Sequence, residues 1–402
     1  MVKKETDYPL IISSIILILI GIIAIYSSGE DLGFPKYQKQ LIWFILGLAG
    51  SFIIQFINPK KLMNISIYLY TIMIVSLVAV LFFGTSHMGA RRWLNLGFYE
   101  IQPSEFGKII LVIVLANFYS KFNIKINRFN FTNFIAAAIT LLPVLLIYKQ
   151  PDLGTSLVYL AIFGVIMFAN GLDYFHAFNL FMIIFSIIFK ALGYQFFVSY
   201  LIVYGFILFK FGKKRINIAA LWLINFSIGM GTSFIWDRLK PYQKLRITSF
   251  LNPEKHIQKG GWQIVQSKTA IANGGFFGRG INGGSQTQLG FLPEGHTDFI
   301  FSVIIEEMGA ITGILVLFLF FVIIYRTIMI SLKVNNKHYY LLCVGIASIF
   351  LYQVFINIGM TIGVMPITGL PLPFLSYGGS SLLFNMVLVA LLVNISRNRR
   401  DY

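Results

Sequence analysis

One carboxylate, Asp298, stands where the polar stretch FLPEGHTD gives way to the apolar run FIFSVII, with His296, Thr297 and Phe299 around it. An acidic side chain in that place can cap the helix that starts there, so any chemical use depends on the company it keeps. The other costly polar residues fall in a few stretches. GARRWLNLGFYEIQPSEFGK (89–108) carries Arg91, Arg92, Trp93 and Gln102, then Ser104, Glu105 and Lys108 at the entrance to an apolar run. Pro103 followed by Ser-Glu reads as a helix start, with the Ser104 hydroxyl or Glu105 carboxylate near the free N–H groups. Glu105 and Lys108, three apart, share a face and can neutralise one another, either to lock helices together or to serve a site. KQPDLGTS (149–156) sets Lys149, Gln150 and Asp152 before another helix, where Asp152 reads first as a cap. In GVMPITGLPLPFLSYGGSSLL (363–383), the segment from Ser376 to Ser380 can offer backbone N–H groups to an anion at a helix start. Packing of small residues between helices explains that segment equally well.

Residues 236–297 hold the longest non-apolar segment and eight cations: Arg238, Lys240, Lys244, Arg246, Lys255, Lys259, Lys268 and Arg279. A long loop can translocate regardless of its charge, and so basic a surface beside a bilayer also suits an anionic lipid headgroup. Nucleic acid is excluded as a partner, because no soluble module is long enough to bind it. HExxH, paired CxxC and GxxxxGK[ST] patterns are absent, leaving zinc hydrolysis and ATP-driven pumping without support. The spacing in GRGINGG has no strand before it, so a flexible loop over 272–284 is expected in place of a dinucleotide site.

These residues are held by membrane helices. Of 402 residues, 57% are hydrophobic and 12% charged, too few charges to clothe a soluble domain of this size. Apolar runs of about 20 residues recur throughout, the length that crosses a hydrocarbon core. Spans are expected near 9–28, 40–57, 64–84, 105–120, 132–148, 155–170, 177–192, 195–210, 216–235, 298–325, 339–360 and 378–395. The first lacks a cleavage site and reads as a retained helix, while the pair at 177–210 reads as two spans or a re-entrant hairpin. Placing both termini in the cytoplasm puts Lys3, Lys4, Lys60, Lys61, Lys121, Lys125, Arg128, Lys213, Lys214, Arg215, Arg326, Lys333, Lys337, Arg397, Arg399 and Arg400 inside. The expected fold is an all-α polytopic bundle: one integral membrane domain over 1–402, with 236–297 as its large extracytoplasmic loop. Cys343, the sole cysteine, lies in an apolar run and reads as packing.

The motifs GARRWLNLGFYEIQPSEFGK, QPDLGTS, RITSFLNPE, GWQIVQSKTAIANGGFFGRG, FLPEGHTDFIF and PLPFLSYGGSSLL together resemble the SEDS (shape, elongation, division and sporulation) family, in family order over nearly the whole chain. GSQTQLGFLPE and NIGMTIGVMPITGLPLPF are closer to the elongation branch, RodA, than to the division branch, FtsW. The resemblance implies ten core spans, making the 177–210 pair an addition. It also implies a peptidoglycan glycosyltransferase that polymerises lipid II at the outer face of the cytoplasmic membrane, with a class B penicillin-binding protein as transpeptidase partner. Asp298 matches the Asp of the family's HTDF motif, for which the resemblance implies catalysis. A general base for the acceptor's 4-hydroxyl is the one such group this chemistry needs, because a diphosphate leaves without protonation. Arg92, Lys268 and Arg279 are expected at the diphosphate, with Trp93 as a platform for sugar or a wedge at the interface. Gln102, Ser104, Glu105, Lys108, Asp152, Ser376 and Ser380 complete the expected substrate-binding set. A divalent cation is possible, though no ligand cluster is visible. His296 either bonds Asp298 or holds its loop. Two other readings are a lipid II flippase, disfavoured because the charges crowd the outer half, and a non-catalytic scaffold, which gives no reason for cations around one Asp.

Overall fold

The computed structural model describes residues 6–28, 35–87, 90–95, 97, 100–121, 131–211, 215–239, 241–251 and 261–398. Lys3, Lys4, Lys125, Arg128, Lys213, Lys214, Lys240, Lys255, Lys259, Arg399 and Arg400 lie outside these, as does the end of the RITSFLNPE motif. The helices are α1 (Tyr8–Ser27), α2 (Lys36–Ile54), α3 (Pro59–Asn64), α4 (Ser66–Phe83), α5 (Pro103–Lys121), α6 (Phe131–Lys149), α7 (Leu153–Ala169), α8 (Tyr174–Leu192), α9 (Tyr194–Phe211), α10 (Arg215–Arg238), α11 (Pro241–Leu251), α12 (Trp262–Gly274), α13 (Ser285–Gln288), α14 (Ile300–Lys333), α15 (Lys337–Thr361) and α16 (Gly379–Arg397). Among the described residues, ten helices are long and apolar enough to cross a membrane. With α5 and the shorter α7 they account for the twelve expected spans, and the chain is a multi-pass membrane protein.

Polar side chains start several helices where the sequence leaves N–H groups bare. Asp7 Oδ1 accepts from Leu10 N at 3.4 Å, Asn336 Oδ1 from His338 N at 2.9 Å, and Asp152 Oδ1 from Thr155 N at 3.1 Å. The core lies where α5 packs on α4, α7, α15 and α16, and where α1 packs along α14. One element was not expected. Three short strands, β1 (Thr85–His87), β2 (Ala90–Asn95) and β3 (Glu100–Ile101), form a small antiparallel sheet in the order β1-β2-β3. Trp93 pairs with Thr85 and Leu94 with Ile101, so the sheet stiffens the approach to α5.

The 177–210 segment forms two helices, α8 and α9, joined at Gly193, whose φ of 140° favours glycine. Together with α10 they build a second, smaller core. Its centre is polar: Tyr204 donates to Asn179 Oδ1 at 2.5 Å, Asn225 Nδ2 to the Tyr204 hydroxyl at 3.0 Å, and Tyr200 to Asn225 Oδ1 at 2.9 Å. Hydrogen bonds of this kind hold helices together where the surrounding lipid is as apolar as the side chains.

The expected span 298–325 needs correction. α14 is broken at Gly309, with φ 86° and ψ 167°. At one end of its long segment, Arg326 grips Asp7, with Nη2 to Oδ2 at 2.7 Å and Nε to Oδ1 at 3.0 Å. At the other, Glu307 Oε1 accepts from Ser27 at 2.5 Å. These contacts pin both ends of the 20-residue α1, about 30 Å long, against the long segment of α14. The membrane-crossing part therefore begins near Gly309, and Ile300–Met308 is a short buried helix beyond it. Residues 272–284, expected as a flexible loop, dock on the break instead. Ala310 N donates to Gly275 O and Gly280 N to Glu307 O, each at 2.9 Å, so the backbone groups freed at Gly309 find partners.

Candidate active site

Asp298 lies in the loop 293–299, at the end of the bundle where β2, α11, the loop before α7 and the loop 365–377 converge. Its main chain is clamped from two directions. Asn357 Nδ2, on α15, donates to Asp298 O at 3.0 Å and to Leu370 O at 2.8 Å. Ser376 donates to Thr297 O at 2.7 Å and accepts from Leu372 N at 2.8 Å, while Tyr377 N donates to His296 O at 2.8 Å. The expected segment Ser376–Ser380 thus holds the aspartate loop in register. His296 does so too, through its carbonyl and through a ring contact with Tyr377 at 5.8 Å. No side chain caps the start of α14, so the capping explanation for Asp298 is not realised.

The half-buried carboxylate is pushed up to about 6. Loss of solvent is the main cause, the Glu294 carboxylate adds to it, Arg246 and then Arg92 oppose it, and Asp152 adds a smaller push upward. Gly369, at φ 74°, backs the pair: a Cβ there would lie 3.7 Å from Asp298 Oδ2 and 3.9 Å from Arg246 Nη1. Arg246 Nη1 also donates to Thr368 O at 3.4 Å. Arg92 reaches the same cleft from β2, with Nη1 3.7 Å from Asp152 Oδ2 and Nη2 donating to Pro151 O at 2.5 Å. Asp152 is both the cap expected for α7 and a hub. It accepts from the Thr155 hydroxyl at 3.0 Å and from Gln102 Nε2 at 3.4 Å.

Glu105 and Lys108 form the expected ion pair, Nζ to Oε1 at 2.7 Å, buried in the bundle with Nζ 5.4 Å from the Phe384 ring centre. Ser104 is buried one residue earlier, its carbonyl accepting from the Tyr159 hydroxyl at 2.9 Å. Ser380 donates to Glu100 O at 3.3 Å and accepts from Gln102 N at 3.4 Å, tying α16 to β3. Trp93 is half-buried beside Arg92 in β2. Lys268 is exposed on α12, its Nζ over Gly363, and Arg279 donates through Nε to Asn273 O at 3.0 Å. Neither is among the charges that bear most on Asp298. Four participants escaped the sequence reading: Arg246 among eight loop cations, Glu294, Asn357 and Tyr159. Asn357 had a signal, being a polar residue within the apolar run of α15. Among the described residues, no three His, Cys, Asp or Glu side chains gather to hold a metal ion.

The sequence pattern of the cell cycle protein family FtsW/RodA/SpoVE matches residues 8–196 and 175–401. This chain belongs to that family. The two matched stretches overlap on α8. Among relatives of the family, peptidoglycan glycosyltransferase RodA of Treponema pallidum is 35% identical, over 98% of both chains. Stage V sporulation protein E of Bacillus subtilis is 34% identical over 99% of both. Peptidoglycan glycosyltransferase MrdB of Escherichia coli is 32% identical over 99% of this chain and 95% of its own. A solved chain from a peptidoglycan synthase complex that coordinates polymerisation and crosslinking is 27% identical, with a TM-score of 0.74 over 99% of both chains. Rod shape determining protein RodA of Thermus thermophilus, at 24% identity and TM-score 0.64, shares the fold. The RodA-type resemblance read from the motifs is supported.

Proposed function

The chain is a peptidoglycan glycosyltransferase, and we propose that it joins lipid II into β-1,4 glycan at the outer face of the cytoplasmic membrane, with both termini in the cytoplasm. The observation that carries the mechanism is Asp298: one carboxylate, pushed up to about 6, between Arg246 and Arg92 at a membrane surface. A group titrating there is largely ionised near neutrality yet still basic enough to accept a proton. The acceptor's 4-hydroxyl attacks the donor's anomeric carbon while Asp298 takes the hydroxyl proton. The anomeric C–O bond breaks, and the diphosphate leaves with the electron pair, which Arg92 and Arg246 stabilise. Attack from the opposite face turns an α-linked donor into a β linkage. Lys268 and Arg279, whose charges are not among those that bear most on Asp298, serve approach of the anionic substrate. Glu105 and Lys108, being buried and mutually neutralised, fix α5 and so the Gln102–Asp152–Arg92 chain. The kinship with a chain from a synthase complex supports a class B penicillin-binding protein as partner. The test is glycan polymer made from lipid II by purified wild type and Asp298→Asn at matched complex formation. Loss of a positioned base costs roughly 100- to 10,000-fold in rate. Near-normal polymer from the Asn variant overturns the assignment.

A further inference from the structure

The loop between α12 and α13 displays two neighbouring phenylalanines, Phe276 at 74% and Phe277 at 84% exposure, with Ile281 also exposed. They do not sit on a loose tip. Gly278 N donates to Gly274 O at 2.9 Å, Arg279 N to Glu306 O at 3.0 Å, and Ile311 N to Phe276 O at 3.3 Å, beside the two bonds across the Gly309 break. A Cβ at Gly278 or Gly309 would strike backbone of the opposite segment, so the two pieces close to a distance that side chains forbid. Two large apolar rings fixed so rigidly on a surface mark a place that something apolar covers.

Depth and continuity identify the cover. Glu307 is level with the end of α1, because Ser27 bonds it, and α1 has the length of a hydrocarbon layer. The loop is therefore anchored at the boundary of that layer. Directly beyond Phe276's partner Ile311, α14 exposes Ile314, Leu315 and Phe318 on the same stripe, at the three- and four-residue spacing of one helix face. The phenylalanines continue that stripe toward the headgroups. Arg279 follows two residues later, its side chain exposed, at the level where a guanidinium meets lipid phosphate.

We propose that Phe276 and Phe277 form an interfacial wedge that enters the leaflet on the Asp298 side, with Arg279 in its phosphate layer. The wedge fixes the height of α12, whose Lys268 overlies Gly363 at the start of the loop that clamps the aspartate. The inference stands apart from the glycosyltransferase reading, since its test reads no catalysis.

Cys343 is the one cysteine of the chain and is buried. In a Cys343→Ala background, Phe277→Cys and, separately, Phe276→Cys can each carry one NBD fluorophore on the full chain, in nanodiscs of phosphatidylethanolamine and phosphatidylglycerol. Correct folding is checked by monodisperse elution. The expected result is blue-shifted emission, lost with nitroxide lipids labelled near the headgroup, lost less with lipids labelled at the chain end, and resistant to iodide. Water-like emission quenched by iodide and untouched by either lipid overturns the proposal. So does protection that appears only after a transpeptidase partner is added, which would make the patch a protein interface.

Discussion

Opposite charges around Asp298 allow a test that moves one property in two directions. Arg246 holds the carboxylate down and Glu294 holds it up, so Arg246→Gln should raise its pKa and Glu294→Gln should lower it. The magnitude follows from the position of Gly369: a Cβ there would lie within 4 Å of both Asp298 Oδ2 and Arg246 Nη1, so the charges are within about 8 Å of each other. At ~7 Å and an effective dielectric of about 20, two unit charges interact by roughly 2 kcal/mol. Solvent at a half-buried carboxylate reduces that to about 1 kcal/mol, somewhat under one pKa unit. A general base works only when ionised, so activity is lost as pH falls through its pKa, here about 6. In Arg246→Gln the acid limb of the pH profile should move up toward about 7, and in Glu294→Gln it should move down. The Gln at 294 keeps an acceptor for the Thr297 hydroxyl, which donates to Glu294 Oε2 at 2.7 Å, so the loop should persist. The assay is initial rate of glycan formation from lipid II over a pH series at constant ionic strength. In Arg246→Gln, loss of a diphosphate contact lowers the plateau without moving the limb, so the position of the limb is the readout. Acid limbs that coincide in wild type and both variants would refute Asp298 as the titrating base.

Three further outcomes follow from the packing. Glu105→Gln or Lys108→Met each strands a buried charge and should cost about 3–5 kcal/mol, read as a lower midpoint of thermal aggregation, whereas exchanging the two residues should recover part of that loss. Gly309→Ala forces a side chain into φ 86° and against the Phe276 carbonyl, so roughly 1–3 kcal/mol should be lost and limited proteolysis within 274–284 should accelerate. Arg326→Gln strips its charged partner from the buried Asp7 carboxylate at the far end of the bundle and should lower the thermal midpoint by an amount corresponding to about 1.5–3 kcal/mol, with polymer yield per folded protein unchanged.

Much of this protein was legible in its sequence because a bilayer imposes a severe rule on composition. A segment either is apolar for about 20 residues or cannot cross, so the helices announced themselves, including the pair around Gly193. The same rule made intramembrane charges conspicuous: Glu105 and Lys108 could be paired on helical spacing alone, and Asp152 could be seen as a cap. The break in α14 was marked only by the adjacent Glu306 and Glu307 ahead of Gly309, in a run otherwise apolar, and it is the docking with Gly278 that forces the positive φ. The little sheet at 85–101 was hidden, because strands of two to six residues give no periodic signal in so short a stretch. Above all, the choice of Arg246 over Lys268 and Arg279 belonged to the tertiary structure. Eight cations in one loop are equivalent as letters, and among those the structure describes it is the fold of α11 against the Gly369 turn that brings Arg246 beside the carboxylate. Charge acts over distance, and distance between residues far apart in the chain is what packing decides.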